Sequence, residues 1–175
     1  MKKKLEDYIV TIPDFPKPGI LFRDITSVIN NADGLKLAVD ELDKLLEGVD
    51  YDMIAGVEAR GFVFGAPLAY KNNKPLTLIR KKGKLPRETV EETYDLEYGT
   101  ATIEVSKNDI KPGDKVVLVD DLIATGGTIA AAARLVERLG AEVVKMIFII
   151  ELPELKGREV LKDYDVASIV KFEGE

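Results

Sequence analysis

Two adjacent carboxylates, Asp120 and Asp121, sit between an apolar run and a glycine turn in VVLVDDLIATGGT, residues 116–128. Like charges side by side repel, so the pair is costly unless hydrogen-bond donors or a cation meet it. Ionised carboxylates can accept hydrogen bonds from the vicinal hydroxyls of a ribose, and bonds to a charged acceptor are stronger than neutral ones. Ala124, Thr125, Gly126, Gly127 and Thr128 then offer backbone N–H groups, two hydroxyls and the positive end of a helix that begins there, a set suited to a phosphate. No Lys follows the glycines as in an ATP-binding Walker loop, and the G-x-G-x-x-G of dinucleotide sites is missing from this stretch. The plainer alternative is an Asp-Asp strand end before a tight turn, which accounts for TGGT alone better than for the whole run.

The rest of the composition narrows the chemistry. The 175 residues include no His and no Cys, which removes Ser-His-Asp triads, thiolate nucleophiles, imidazole acid-base catalysis and His or Cys metal sites. Any proton transfer must then use a carboxylate, Lys, Tyr or water. A formal charge of -6 argues against a nucleic-acid partner. MKKKLEDY has the positive start of a signal peptide without its apolar stretch, and no apolar run approaches membrane-spanning length, so a cytoplasmic protein without a membrane partner is expected.

These residues must be positioned by a single domain, since no repeat or Ser/Gly-rich linker divides residues 1–175. Leu35, Ala38, Val39, Leu42, Leu45 and Leu46 share one helical face, and Gly48 stops that helix. Met53 to Val57 reads as a short buried strand, a polar turn follows, and a helix enters near Gly61. PLTLIR reads as another strand. KKGKLPRETVEETY, residues 81–94, is charged, poor in core residues and long for a connection, and is expected to be mobile. GTATIEV alternates like a half-exposed strand, with Thr100, Thr102 and Glu104 on one side. KPGDKVVLV gives a turn and a buried strand, Gly127 to Leu139 an amphipathic helix ended by Gly140, and EVVKMIFII and DVASIVKF two more strands. Strands alternating with helices predict an α/β fold with a mostly parallel central sheet flanked by helices, and ligands beyond the carboxyl ends of its strands.

VVLVDDLIATGGT resembles the PRPP-binding motif of the type I phosphoribosyltransferases, where PRPP is 5-phosphoribosyl 1-pyrophosphate. IPDFPKPGILFRDIT, GVEARGFVFG, LIRKKGKLP, YDLEYG and ELPELKGRE are similar, in order and over almost the full length, to segments of the adenine-using branch of that family. The resemblance implies a small N-terminal hood over about residues 1–30 and a flexible catalytic loop over about 81–98. It implies Mg2+-dependent transfer of phosphoribose from PRPP to adenine, giving AMP and pyrophosphate, in a homodimer. On it, Asp120 and Asp121 engage the ribose, and Ala124 to Thr128 the 5'-phosphate. Glu58, Ala59 and Arg60, with a non-proline cis peptide between the first two, and Arg80, Lys81 and Lys84 serve the pyrophosphate, the basic group partly across the dimer interface. Glu97 and Tyr98 belong to the lid, Glu97 as proton donor or hydrogen-bond partner of the purine. Phe22 and Leu152 sandwich the base, whose edge is read by main chain near Leu21 and Arg23, and the metal is held by substrate oxygens and water with no direct protein ligand. Read from spacing alone, Arg60 could instead be solvated on a plain turn, Glu97 an exposed strand charge and Phe22 ordinary core. Another purine as acceptor, or a PRPP-sensing regulator on the same fold, are the competing functions.

Overall fold

The structure, a computed structural model, describes residues 1–96 and 98–174. A short 3-10 turn at Leu5–Tyr8 leads into a two-stranded antiparallel sheet, β1 (Val10–Pro13) and β2 (Leu21–Asp24), and the short helix α1 (Thr26–Ile29). Together these elements make up the first thirty or so residues. Helix α2 (Ala32–Leu45) starts where the Asn31 side chain accepts a hydrogen bond from the Gly34 amide at 3.0 Å, which satisfies one orphan donor of its first turn. Its face of Ala38, Val39 and Leu42 is buried, as the spacing predicts.

Strand β3 (Met53–Val57) is wholly buried and runs through a turn into α3 (Arg60–Lys71). There follow β4 (Leu76–Lys81), β5 (Thr89–Asp95), β6 (Thr100–Ser106) and β7 (Lys115–Ile123), then α4 (Gly127–Arg138), β8 (Glu142–Glu151), the short α5 (Gly157–Val160) and β9 (Val166–Lys171). Seven strands form one sheet in the order β5-β6-β4-β3-β7-β8-β9. From β4 to β9 neighbouring strands are parallel; β6 and β5 extend it antiparallel. The mostly parallel α/β sheet is therefore as expected. Alternate residues feed two cores: Val116, Leu118, Met146 and Phe148 pack under α4, while Val117, Val119, Ile147 and Ile149 pack with α2 and α3.

Two local expectations change. Residues 89–95 are not an irregular connection but a full strand, paired with β6 from Thr89↔Ser106 to Asp95↔Thr100. Val90 and Tyr94 pack against the α4 core, and Glu92 between them is neutralised by Arg134 and Arg138 of α4, so a charged sequence can still cover a helix. Strand β6 is not half-exposed either, because Glu104 is buried. Its carboxylate accepts hydrogen bonds from the amides of Gly83 and Leu85, each at 3.1 Å, and from the Thr89 hydroxyl at 3.2 Å. An alternating polar residue thus points inward when backbone donors wait for it.

Strand β7 outruns its neighbour. Its recorded pairing with β3 ends at Gly56↔Val119, whereas pairing with β8 continues to Ile123↔Glu151. Asp120 and Asp121 therefore lie within the strand, on the stretch where β3 no longer covers one edge.

Candidate active site

Two cavities open at this end of the sheet. The first, about 250 Å³, is lined by Glu58, Arg60, Asp120, Leu122 and the run Ile123 to Ile129. The second, about 450 Å³, is lined by Gly19, Ile20, Leu21, Phe22, Arg23, Leu122, Leu152 and Leu155. Leu122 lines both.

The first cavity is polar by construction. Gly126, with φ of 86°, turns the chain into α4, so the first turn of that helix points its free amides at the cavity. Behind this loop lies Gly157, where an added Cβ would stand 2.5 Å from the Ala124 carbonyl oxygen and 2.8 Å from Ile123 Cγ1. Only a glycine lets α5 support the loop this closely. At the start of α3, a Cβ on Gly61 would stand 2.7 Å from the Val119 carbonyl oxygen, so only a glycine lets α3 start this close to β7.

The two aspartates have different surroundings. Asp121 is buried and accepts a hydrogen bond from Arg60 Nε at 2.5 Å, which fixes the guanidinium at the cavity wall. This bond first, with the attraction of Asp121, raises the Arg60 guanidinium further above its ordinary value. Asp120 lines the cavity, and its Oδ1 accepts a hydrogen bond from the Asp121 amide at 2.8 Å. Burial, and after it the like charge of Asp121, push the Asp120 carboxyl well above the ordinary carboxylate range, against the pull of Arg60. The two neighbours tolerate each other because Arg60 neutralises Asp121.

The peptide bond between Glu58 and Ala59 is cis, as the family resemblance implied. Glu58 gathers the basic segment that follows β4: its carboxylate accepts from the Lys81 amide at 2.7 Å and Lys84 Nζ at 2.5 Å, and lies 3.4 Å from Arg80 Nε. Burial would raise this carboxyl, but the hydrogen bonds from Lys84 and the Lys81 amide, with the Lys84 and Arg80 charges, outweigh it and hold it below the usual range. Arg80, Lys81 and Lys84 are therefore held beside the first cavity through Glu58 without lining it.

The second cavity is apolar. Phe22 from β2 is edge-on to Phe15 at a centroid distance of 5.1 Å. Arg23 donates from Nη1 to the Thr11 hydroxyl at 2.7 Å and lies over the Phe172 ring at 4.2 Å, which ties β1 and β2 to the chain beyond β9. On the opposite wall, Leu152 follows Glu151, whose carboxylate takes two hydrogen bonds from Arg158, at 2.8 and 2.9 Å, and one from Ser168 at 2.6 Å. The Arg158 bonds foremost hold Glu151 below the ordinary carboxylate range against the opposing effect of burial.

Of the lid residues, Tyr98 is exposed on the turn between β5 and β6 and lines neither cavity; Glu97 lies outside the described residues. Sequence reasoning missed Leu122, Ile20, Leu155 and Tyr94. Leu122 lies inside the quoted motif and Ile20 inside the N-terminal segment, and neither apolar side chain is marked there by its neighbours. Tyr94 donates to or accepts from Thr128 Oγ1 at 3.1 Å, and its sign in the sequence was the alternation Val90, Glu92, Tyr94 inside a stretch read as a loop.

Residues 33–175 match the model of the phosphoribosyl transferase domain. The chain belongs to the phosphoribosyltransferase family. Among relatives of this phosphoribosyltransferase, the adenine phosphoribosyltransferase of Butyrivibrio fibrisolvens is 67% identical over 173 residues, covering 99% of this chain and 96% of the relative. The crystal structure of the Thermoanaerobacter pseudethanolicus enzyme of that name is 50% identical, with a TM-score of 0.92 over 97% of this chain and all of the other. The Saccharomyces cerevisiae enzyme, solved with an imino-altritol bisphosphate and adenine, is 39% identical, with a TM-score of 0.89 over 95% and 96% of the two chains. The phosphoribosyltransferase fold here is thus shared along nearly the whole chain.

Proposed function

We propose that the chain transfers the 5-phosphoribosyl group of PRPP to adenine, releasing pyrophosphate and forming AMP in purine salvage. The observation that carries this reading is the pair of cavities that share Leu122: a carboxylate and glycine-loop cavity that suits a ribose phosphate, beside an apolar slot that suits a flat base. The naming of the relatives supports adenine as that base.

In this reading the amides of Ala124 to Thr128 and the two threonine hydroxyls hold the 5'-phosphate, and Asp120 accepts hydrogen bonds from the ribose hydroxyls. Asp121 serves the ribose through its neighbour and by orienting Arg60. Arg60, the Glu58–Ala59 loop and the basic group at Arg80, Lys81 and Lys84 draw off the leaving pyrophosphate. The anomeric carbon passes through an oxocarbenium-like state with inversion, and preorganised charge around it lowers the barrier. Phe22 and Leu152 face the two sides of the base, while main chain at Leu21 and Arg23 reads its edge. Glu97 and Tyr98 close over the site and exclude water that would hydrolyse the cationic sugar, with Glu97 the partner of the purine's proton.

Among the described residues no cluster of three or more acidic side chains is arranged as a metal cage. In this reading Mg2+ would come as a companion of the substrate, bound through substrate oxygens and water, and would supply charge to the pyrophosphate. The homodimer finds support on α3, whose outward residues Val63 and Tyr70 are exposed and apolar although the other face of the helix is core. Sedimentation of the wild type as a dimer, and of a Val63→Lys, Tyr70→Lys variant as a monomer, checks it. No described helix is long and apolar enough to cross a membrane.

The function is tested by turnover with PRPP and Mg2+ against adenine, hypoxanthine, guanine and xanthine in turn. AMP and pyrophosphate should form in equal amounts with adenine and no nucleotide with the others. Turnover of another purine in preference to adenine would move the assignment to that base; pyrophosphate release with none of them would end it.

A further inference from the structure

Strand β5 is fastened to α4 at two points. Glu92 pairs with Arg134 and Arg138 toward the end of the helix, and Tyr94 reaches its first turn, where the phenol oxygen lies 3.1 Å from Thr128 Oγ1. The Tyr94 ring also lies over the glycine turn, 3.9 Å from where a Cβ on Gly127 would stand. No ligand role was expected of this tyrosine, yet it contacts a hydroxyl of the phosphate loop from behind.

A threonine hydroxyl has one hydrogen and two lone pairs, and with a phenol oxygen in reach that hydrogen can turn to the tyrosine instead of outward. A phosphate needs it pointed outward. If Tyr94 donates to Thr128 Oγ1, it fills a lone pair of that oxygen and leaves the threonine hydrogen for the anion. A phosphate oxygen that accepts from Thr128 favours this direction in turn, because successive hydrogen bonds polarise one another.

We propose that Tyr94 is a positioning residue for PRPP: its hydroxyl donates to Thr128 Oγ1 so that Thr128 donates to the 5'-phosphate. This rests on the phosphate assignment made above. Tyr94 is also only two residues before the turn that carries Tyr98, with the Leu96 amide bonded to the Gly99 carbonyl at 2.9 Å. The relay therefore ties phosphate binding to the root of the proposed lid.

The experiment is equilibrium binding of ribose 5-phosphate to the intact enzyme, with steady-state kinetics alongside, for the wild type, Tyr94→Phe, Thr128→Ala and the double variant. Phenylalanine keeps the ring and its packing and removes only the hydroxyl. The expected result is a Kd for ribose 5-phosphate and a KM for PRPP raised about 3- to 10-fold in Tyr94→Phe, the net worth of one hydrogen bond. The KM for adenine should be unchanged, kcat should change less than KM, and Tyr94→Phe should add nothing in the Thr128→Ala background. Binding by Tyr94→Phe equal to wild type, or full additivity in the double variant, overturns the relay while leaving the phosphate assignment standing. So does a matched loss in both substrates with a lowered melting temperature, the mark of a merely structural tyrosine. A wild type that fails to bind ribose 5-phosphate overturns the phosphate assignment and the relay with it.

Discussion

The cavity floored by Asp120 and the cavity walled by Phe22 share Leu122 but are assembled differently. The first takes most of its lining from one continuous run, Leu122 to Ile129, and its binding groups are backbone amides, hydroxyls and a carboxylate. The second gathers its wall from residues 19–23, from Leu122 and from Leu152 and Leu155, and its surface is mainly apolar. A charged, branched ligand such as a sugar phosphate needs many donors at fixed angles, which a single loop at a helix start supplies. A flat base needs two apolar faces a ring's thickness apart, and these come most simply from separate elements. Damage to the first cavity should therefore be severe and specific to PRPP, and damage to the second milder and specific to the base.

The sharpest way to break that contrast is Asp120→Asn with Asp121→Asn. Loss of charge-assisted hydrogen bonds, each worth about 1.5–3 kcal/mol, should lower kcat/KM for PRPP by about 100-fold or more. Circular dichroism should show the fold retained, and near-full activity would remove the ribose assignment. Next in size is Gly157→Ala, whose new Cβ meets the Ala124 carbonyl oxygen. Overpacking of this kind costs about 1–3 kcal/mol in a denaturant titration, and KM for PRPP should rise while KM for adenine moves less. Third, Leu152→Ala should raise KM for adenine about 10-fold, in line with the loss of a large apolar contact, and leave KM for PRPP nearly unchanged. If both constants moved together in either variant, the two cavities would not be separate binding elements.

The smallest effect concerns the support behind Leu152. Glu151 has its folded pKa held below the unfolded value of 4.5 by Arg158. Its stabilising contribution is therefore fully present above about pH 4.5 and is lost as pH falls through the lower folded pKa. Thermal melts between neutral and acid pH should show a shallower acid loss for Glu151→Gln than for the wild type, and identical slopes would mean that Arg158 does not hold this carboxylate.

The same contrast accounts for what could be read from sequence. The helix on Leu35 to Leu46, strand β3 from Met53 to Val57 and the turn into α4 were legible because local spacing or turn chemistry specifies them. The polar cavity was legible for the same reason, its groups being consecutive. Phe22 and Leu152 were assignable only through family resemblance, since an apolar residue carries no local mark of the partner it will face. Strand β5 was hidden because Glu92 counts as a surface charge until the arginines of α4 are brought opposite, and Glu104 because its backbone donors lie some twenty residues away. Arg60 was readable as a candidate for binding an anion, but its bond to Asp121 joins positions 61 apart in the chain.

The most direct test of the two-cavity account is a crystal structure of the protein with AMP. The account predicts the phosphate seated on the amides of Ala124 to Thr128, the ribose hydroxyls at Asp120, and the adenine ring between Phe22 and Leu152 with Leu122 beneath the glycosidic bond. AMP bound with its base outside the Phe22 and Leu152 slot, or with its phosphate away from the loop, would contradict it.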